Sequence, residues 1–267
     1  MDSILAHMKN SKVIQWVGWL FLIALVAVCV QFWNPSAAWA RLLFPKPVAV
    51  GRAFLSILSP TTGSGLRDIG TTLSRVGFGL ILGTCLGVPL GLSAGLLGRL
   101  FNGLRLGIDF LRSIPQIALF PVFALLFGIE NFGKVMMAAV STFLIVFVAA
   151  ADGTLFGVQE RYETFEWMGA SAWQKFTRLI LPQSLPSIAV GIRIATSVAV
   201  IVVLVAEMLY GTLDGIGYRL YIAQLSYRVD EMWAYIILVG IMGMVLNAIL
   251  SYLQRRFIPW DRVSTEG

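Results

Sequence analysis

Soft metal ligands are almost missing from this chain of 267 residues. It has one histidine, His7, and two cysteines, Cys29 and Cys85, both inside apolar runs. A zinc-type site needs three or four such ligands together, and a disulfide framework needs paired cysteines in an oxidising, loop-rich setting. Both are excluded, and no metal is expected. Charge is scarce too. Asp, Glu, Lys and Arg make up 13% of the chain, against about 25% in soluble domains. What fills the space is apolar: 58% of residues are hydrophobic and the mean hydropathy is +0.82. A polytopic, all-α membrane protein follows. At about 20 residues per spanning helix, one transmembrane domain of about six spans uses residues 1–267 and leaves no sizeable soluble domain. The net charge of +6 would suggest nucleic acid in a soluble protein. In a membrane chain, basic residues belong to cytoplasmic loops, so no nucleic-acid partner is expected; the partner is the lipid bilayer.

The apolar blocks place spans at about 13–33, 72–97, 108–127, 135–156, 188–209 and 232–253. Lys9 and Lys12 before the first block, and Ala38-Trp39-Ala40 after it, imitate a secretory signal. The block is nevertheless long enough to span, and Trp16, Trp19, Trp33 and Trp39 stand as interfacial anchors near its ends, so it reads as a retained span. Residues 34–67 read as an external loop with a short amphipathic helix at Val48–Leu58.

In the second span Gly79, Gly83, Gly87, Gly91 and Gly95 recur every fourth residue. Small residues at that spacing let helix backbones approach closely in lipid. The stripe is either a conduit wall or subunit seam, or an ordinary buried helix contact. Pro89 is expected to kink this helix. Arg99 and Arg105 flank an expected short turn before the third block, which carries Asp109, Arg112, Gln116, Pro115 and Pro121. Asp109 and Arg112 can pair at i, i+3, as an interfacial ion pair or a substrate contact. Gly128 to Val135 fits G-x-x-x-x-G-K, but Val135 stands where a magnesium-binding hydroxyl belongs. No strand–loop–helix unit surrounds it, so nucleotide binding is rejected. Arg193 and Glu207 both fall in the fifth span, about 21 Å apart along its axis, and cannot pair with each other.

With six spans, Lys9, Lys12, Arg99, Arg105, Arg161, Lys175, Arg178, Arg255, Arg256 and Arg262 share one side. Arg41, Lys46, Arg52, Arg67, Lys134, Arg219 and Arg228 share the other. The first set lies nearer span ends, which puts both termini in the cytoplasm.

That orientation makes the polar stretch at 160–186 cytoplasmic. Glu163, Glu166, Gln174 and Lys175 punctuate Phe165, Trp167, Trp173 and Phe176 over two short helical phrases. Gly169 accepts a positive φ between them, and Ser171 is placed to cap the second. Aromatic anchors with a polar rim suit a protein-docking surface; an amphipathic loop on lipid headgroups is the other reading.

The spacing Glu163-x5-Gly169-x9-Leu179-x-Leu181-Pro182 resembles the E-A-A-x3-G-x9-I-x-L-P loop of permease subunits in ATP-binding-cassette importers. Thr164 and Phe165 depart from the two alanines, and Leu179 from the isoleucine. Phe44-Pro45-x-Pro47, Arg112 to Pro121, Ala206-Glu207-Met208 and Gln254 to Trp260 extend the likeness to the subgroup importing nitrate, taurine and aliphatic sulfonates. The resemblance implies a type I importer-like fold in the bacterial cytoplasmic (inner) membrane, working as a homodimer with one conduit. Two cytoplasmic ATPase subunits would grip the coupling loops through Glu163, Glu166, Gly169, Ala170, Ser171, Trp173, Phe176, Leu181 and Pro182. An extracytoplasmic binding protein would deliver a small, anionic solute. The chain itself would have no catalytic residue and no directly bound cofactor, with ATP and Mg held by the partners. Arg112, Gln116, Arg193 and Glu207 are the candidates for the translocation pathway; for the arginines, pairing or snorkelling competes with an anion role. The rival reading is an ATP-independent secondary transporter or channel, which would show charged or broken-helix sites in two related halves. No such repeat is visible.

Overall fold

The computed structural model describes residues 25, 45–59, 65–155, 164–209 and 213–260. The expected first span, apart from Leu25, and residues 156–163 at the start of the polar loop, Glu163 included, lie outside the described residues. Among the described residues every regular element is helical. Helix α1 covers Pro47–Leu58, α2 Gly65–Leu96, α3 Gly98–Ser113, α4 Phe120–Phe127 and α5 Asn131–Leu155. After the polar loop come α6 (Ala172–Lys175), a π-helical turn (Phe176–Ile180), α7 (Leu181–Leu209), α8 (Ile216–Leu225) and α9 (Val229–Phe257). Helices α2, α5, α7 with its α6 lead-in, and α9 are long and apolar enough to cross a membrane.

The glycine stripe sets the central packing. Gly79 faces Ala138, Gly83 Thr142, Gly87 Val146, Gly91 Ala150 and Gly95 Thr154. Both helices climb together, one step of four on each, so α2 and α5 run parallel. A Cβ at Gly79, Gly91 or Gly95 would overlap atoms of α5. Between spans, lipid supplies no hydrophobic drive, and backbone approach of this kind is what holds them. Helix α7 runs the other way against α5, with Ser184 beside Gly153 and Ala149 beside Gly191. Helix α9 reverses again, with Gln254 at Arg193 and Asn247 at Ser197. One end of the bundle therefore collects Leu96, Leu155, Leu181 and Phe257. The other collects α1, α8 and the starts of α2 and α5.

Two parallel spans require a return crossing between them, and residues 98–127 make it. The sequence expects one span at 108–127 preceded by a short turn. Instead α3 is helical through Arg105 as far as Ser113, and the Arg105–Ser113 helix meets the Gln116–Phe127 helix at 84°. Pro115 causes the break. It has no N–H for the helix ladder, and it drives Ile114 to an extended φ of −73° and ψ of 122°.

The four long spans all start earlier than expected. Helix α2 starts at Gly65 rather than 72 and runs through Pro89. Its 32 residues span about 48 Å, more than the ~30 Å hydrocarbon core, so its polar first turns project into the interface. Helix α7 starts at Leu181 rather than 188. It continues the π turn before it without a break, so Pro182 removes a donor within a continuous helix, and Pro186 is likewise taken into the helix. The expected amphipathic helix at Val48–Leu58 is α1, begun one residue earlier at Pro47.

Candidate functional site

The polar loop is built from a stop and a start. Residues 164–167 form a helical turn that ends at Gly169, with φ of 68°. Gly169 N–H donates to the Glu166 carbonyl (2.9 Å) and Ala170 N–H to the Phe165 carbonyl (3.0 Å). This paired pattern terminates a helix around a left-handed residue, and glycine adopts that conformation without a Cβ penalty. Two residues later Ser171 starts α6. Its Oγ accepts from Gln174 N–H while Gln174 Oε1 accepts from Ser171 N–H, a complete capping box.

The Lys175 ammonium reaches back to Glu166 (3.6 Å) across the bend. Trp173 stacks loosely on Phe176, ring centroids 6.1 Å apart. Beneath, Phe176 and Leu181 pack on Leu92, Ala150 and Ile188, which joins the elbow to three spans. Above, Trp167 is 90% exposed and Trp173 72%. Two large apolar rings held in water by a rigid bend need a protein or membrane surface to cover them. The π turn that follows has its own cause: Pro182 cannot donate to the Arg178 carbonyl, and Leu181 N–H bonds to Phe176 five residues back.

On the span side of the elbow, between α3, α5, α7 and α9, lies a cleft of about 570 Å³. Arg112, Asp152, Ser187, Arg193 and Gln254 supply its polar lining. Arg193 donates through Nη2 to Gln254, while its Nε is buried without a partner. Arg112 lies 3.9 Å from Asp109, as the i, i+3 spacing expects, and both are well exposed. Two of the four pathway candidates, Arg112 and Arg193, thus share one cleft. Gln116 lies beyond the Pro115 break, where it accepts from Ser141 (3.3 Å).

Glu207 is at the opposite end of the bundle. Its carboxylate is fully buried and takes Arg75 Nη1 at 2.7 Å, Gly217 N–H at 2.8 Å and the Thr72 hydroxyl at 2.9 Å. Arg75 also bonds Asn131 through Nε (2.8 Å) and the Asp214 carboxylate through Nη2 (2.6 Å). Asp68 joins Arg219 (2.9 Å) and accepts Gly215 N–H (3.0 Å), while Thr72 Oγ1 accepts Ile216 N–H (3.0 Å). Three successive amides at the start of α8, those of Gly215, Ile216 and Gly217, are therefore held by α2 and α7. Glycine is required at Gly215, with φ of 100°, where a Cβ would meet Glu207 Cδ at 2.5 Å. Lys134, also buried, completes a set of three cations and three anions. Desolvation pushes the Asp214 carboxyl up, but the Arg75 hydrogen bond and the charges of Arg75, Lys134 and Arg67 outweigh it and hold it below the usual carboxylate range.

Sequence reading took Glu207 alone and overlooked Arg75, Asp68 and Asp214. The available signal was an arginine inside an apolar span, which requires a partner there.

A bundle of parallel and antiparallel spans with one broken crossing and an exposed two-helix elbow defines a multi-pass membrane component that offers a docking knuckle. Residues 87–262 match the family described as binding-protein-dependent transport system inner membrane component, and the chain belongs to that family. The aliphatic sulfonates transport permease protein SsuC of Bacillus subtilis is 28% identical over 94% of this chain and 90% of its own length. The taurine transport system permease protein TauC of Escherichia coli is 28% identical, covering 89% of this chain and 88% of its own. The nitrate import permease protein NrtB of Leptolyngbya laminosa is 26% identical, covering 72% and 68%. The fold is similar to that of the inward-facing MetNI methionine ABC transporter (TM-score 0.61, 19% identity), covering 73% of this chain and 94% of that one.

The protein is thus a membrane-spanning transport subunit of an ABC importer rather than an enzyme, and the rival reading as a secondary transporter or channel is not favoured. Importer permeases of this kind work with ATPase and binding-protein partners in the inner membrane.

Proposed function

We propose that the chain forms a homodimeric conduit for a small anion of the sulfonate, taurine or nitrate type, driven through the 160–186 elbow by two cytoplasmic ATPase subunits. The exposed Trp167–Gly169–Trp173 knuckle, rigid in itself and rooted in three spans, is the observation that carries this reading. A surface that transmits force must not deform, and the two interlocking caps prevent it. ATP and Mg belong to the ATPases. ATP-driven closure would carry the elbows as levers, and each state of the conduit would be selected by contacts that differ between the two. The elbow end then faces the cytoplasm, with both termini on that side. Supporting this, Lys134, one of the few cations near a span end on the other side, is buried and so leaves the surface charge count.

Arg112 and Arg193 would face the solute from the cleft. Names of relatives supply the candidate solutes, and Arg193 supplies the chemistry: Asp109 already offsets Arg112, whereas the Arg193 Nε is buried with no hydrogen-bond partner and offers a donor to an anion. Glu207, held by Arg75, would set the opposite end rather than touch solute.

The experiment is reconstitution of the chain with its ATPase and binding protein, followed by uptake of taurine, an alkanesulfonate and nitrate. ATP-dependent uptake that falls at least tenfold in Arg112→Gln or Arg193→Gln supports the reading. Uptake that proceeds without any ATPase sinks it, and unchanged uptake in both variants removes the arginines from the pathway.

A further inference from the structure

We propose that Trp260 is a positioning residue for the elbow, whose indole N–H holds a backbone carbonyl that Pro186 cannot serve. In an α-helix the carbonyl of residue 182 accepts from the amide of residue 186. In α7 that residue is Pro186, which has no N–H. Trp260 Nε1 donates to the Pro182 carbonyl instead, at 3.2 Å. Trp260 lies just past the end of α9, where Ile258 N–H closes the helix on Gln254 (2.8 Å) and the Ile258 side chain is buried. Trp260 is 51% exposed, and the N–H contact is the specific tie between it and α7. About three turns further along α7, the Arg193–Gln254 contact joins the same two helices. The end of α9 is thereby latched to the root of the elbow at the turn that Pro182 and Pro186 would otherwise leave weak.

The consequence is mechanical. Elbow and α6 are rooted through the π turn and Leu181, directly beside the latched carbonyl, so displacement of the elbow carries the end of α9 with it. Two separate proline and tryptophan phrases of the sequence, 181–186 and 254–260, acquire one physical reason.

The transport consequence rests on the elbow being the ATPase-docking element, but the latch has a readout of its own. Hydrogen exchange of the full chain in lipid nanodiscs is measured for the parent, Trp260→Phe, Pro186→Ala and the double variant. Phenylalanine keeps the ring and removes the donor. Exchange at the amides of Gln183, Ser184, Leu185 and Ser187 rises about five- to tenfold in Trp260→Phe. Pro186→Ala supplies the missing amide, so adding Trp260→Phe to it changes exchange by less than about twofold. Equal increments in both backgrounds, or none in either, overturn the latch. In the importer assembled with its ATPase, the ratio of taurine uptake to ATP hydrolysed falls in Trp260→Phe and returns in the double variant to the Pro186→Ala value. A ratio unchanged in Trp260→Phe overturns the positioning role. If taurine is not carried at all, the substrate reading fails and the exchange result still decides the latch.

Discussion

Arg75 on α2 and Glu207 on α7 meet at 2.7 Å with side chains 2% and 0% exposed. A pair this buried is not a source of net stability by default, because desolvating two ions offsets most of their attraction. What it enforces is geometry. Each charge is intolerable without the other, so α2 and α7 are held in one register at the end of the bundle opposite the elbow. Gly215 and Gly217 bring the start of α8 down onto the same carboxylate.

Breaking that pair from one side leaves a buried ion. Glu207→Gln or Arg75→Met is expected to cost about 3–5 kcal/mol, read as a lowered unfolding temperature in detergent. The double variant Arg75→Met/Glu207→Leu should recover much of that loss, since Asp214 is 37% exposed and can hydrate once Arg75 is gone. A double variant as unstable as the sum of the singles would mean that the two residues act independently.

The glycines of α2 should sort by what they face. Gly91→Ala forces a methyl into Phe147 and Ala150 and is expected to cost about 1–3 kcal/mol. Gly87→Ala, where the nearest atoms lie at 3.2 Å, should cost less. Gly77→Ala meets nothing within 4 Å and should be neutral or stabilising by up to about 1 kcal/mol. Thermal unfolding in one lipid or detergent ranks the three, and equal effects would dismiss close α2–α5 approach as the cause.

At the elbow, a positive φ is the requirement. Gly169→Val should cost about 1–2 kcal/mol locally and reduce ATPase-coupled uptake or assembly, whereas Gly169→Asn should retain most of it, because asparagine tolerates the left-handed region. Valine supporting parental uptake and ATPase stimulation would show that the bend is not needed for coupling.

The pH dependence follows from Asp214. Its folded-state pKa is depressed, so its contribution is present above the ordinary carboxylate range and is lost as pH falls through the folded value. Its partial exposure keeps that contribution small. Unfolding temperature followed from about pH 7 to about pH 3 should fall less steeply in Asp214→Asn than in the parent. Identical slopes would assign the acid loss to other carboxylates.

Much of this protein is written in short-range sequence. The elbow needs only Gly169 at the stop and Ser171 with Gln174 at the start, interactions that close within a few residues. The apolar blocks mark α2, α5, α7 and α9 because lipid demands long runs with internally satisfied backbones. The glycine stripe announces a close contact because a period of four marks one helix face.

Sequence alone did not name the partner of any of these features. That the stripe packs on α5 in parallel depends on the Pro115 break, whose 84° turn no local rule specifies. That Glu207 is bound by Arg75 depends on residues 132 positions apart. That Trp260 serves the carbonyl freed by Pro186 depends on the antiparallel course of α7 and α9. Local propensities act over one turn of helix, whereas charge pairing and carbonyl capping are decided by which turns the tertiary fold brings side by side.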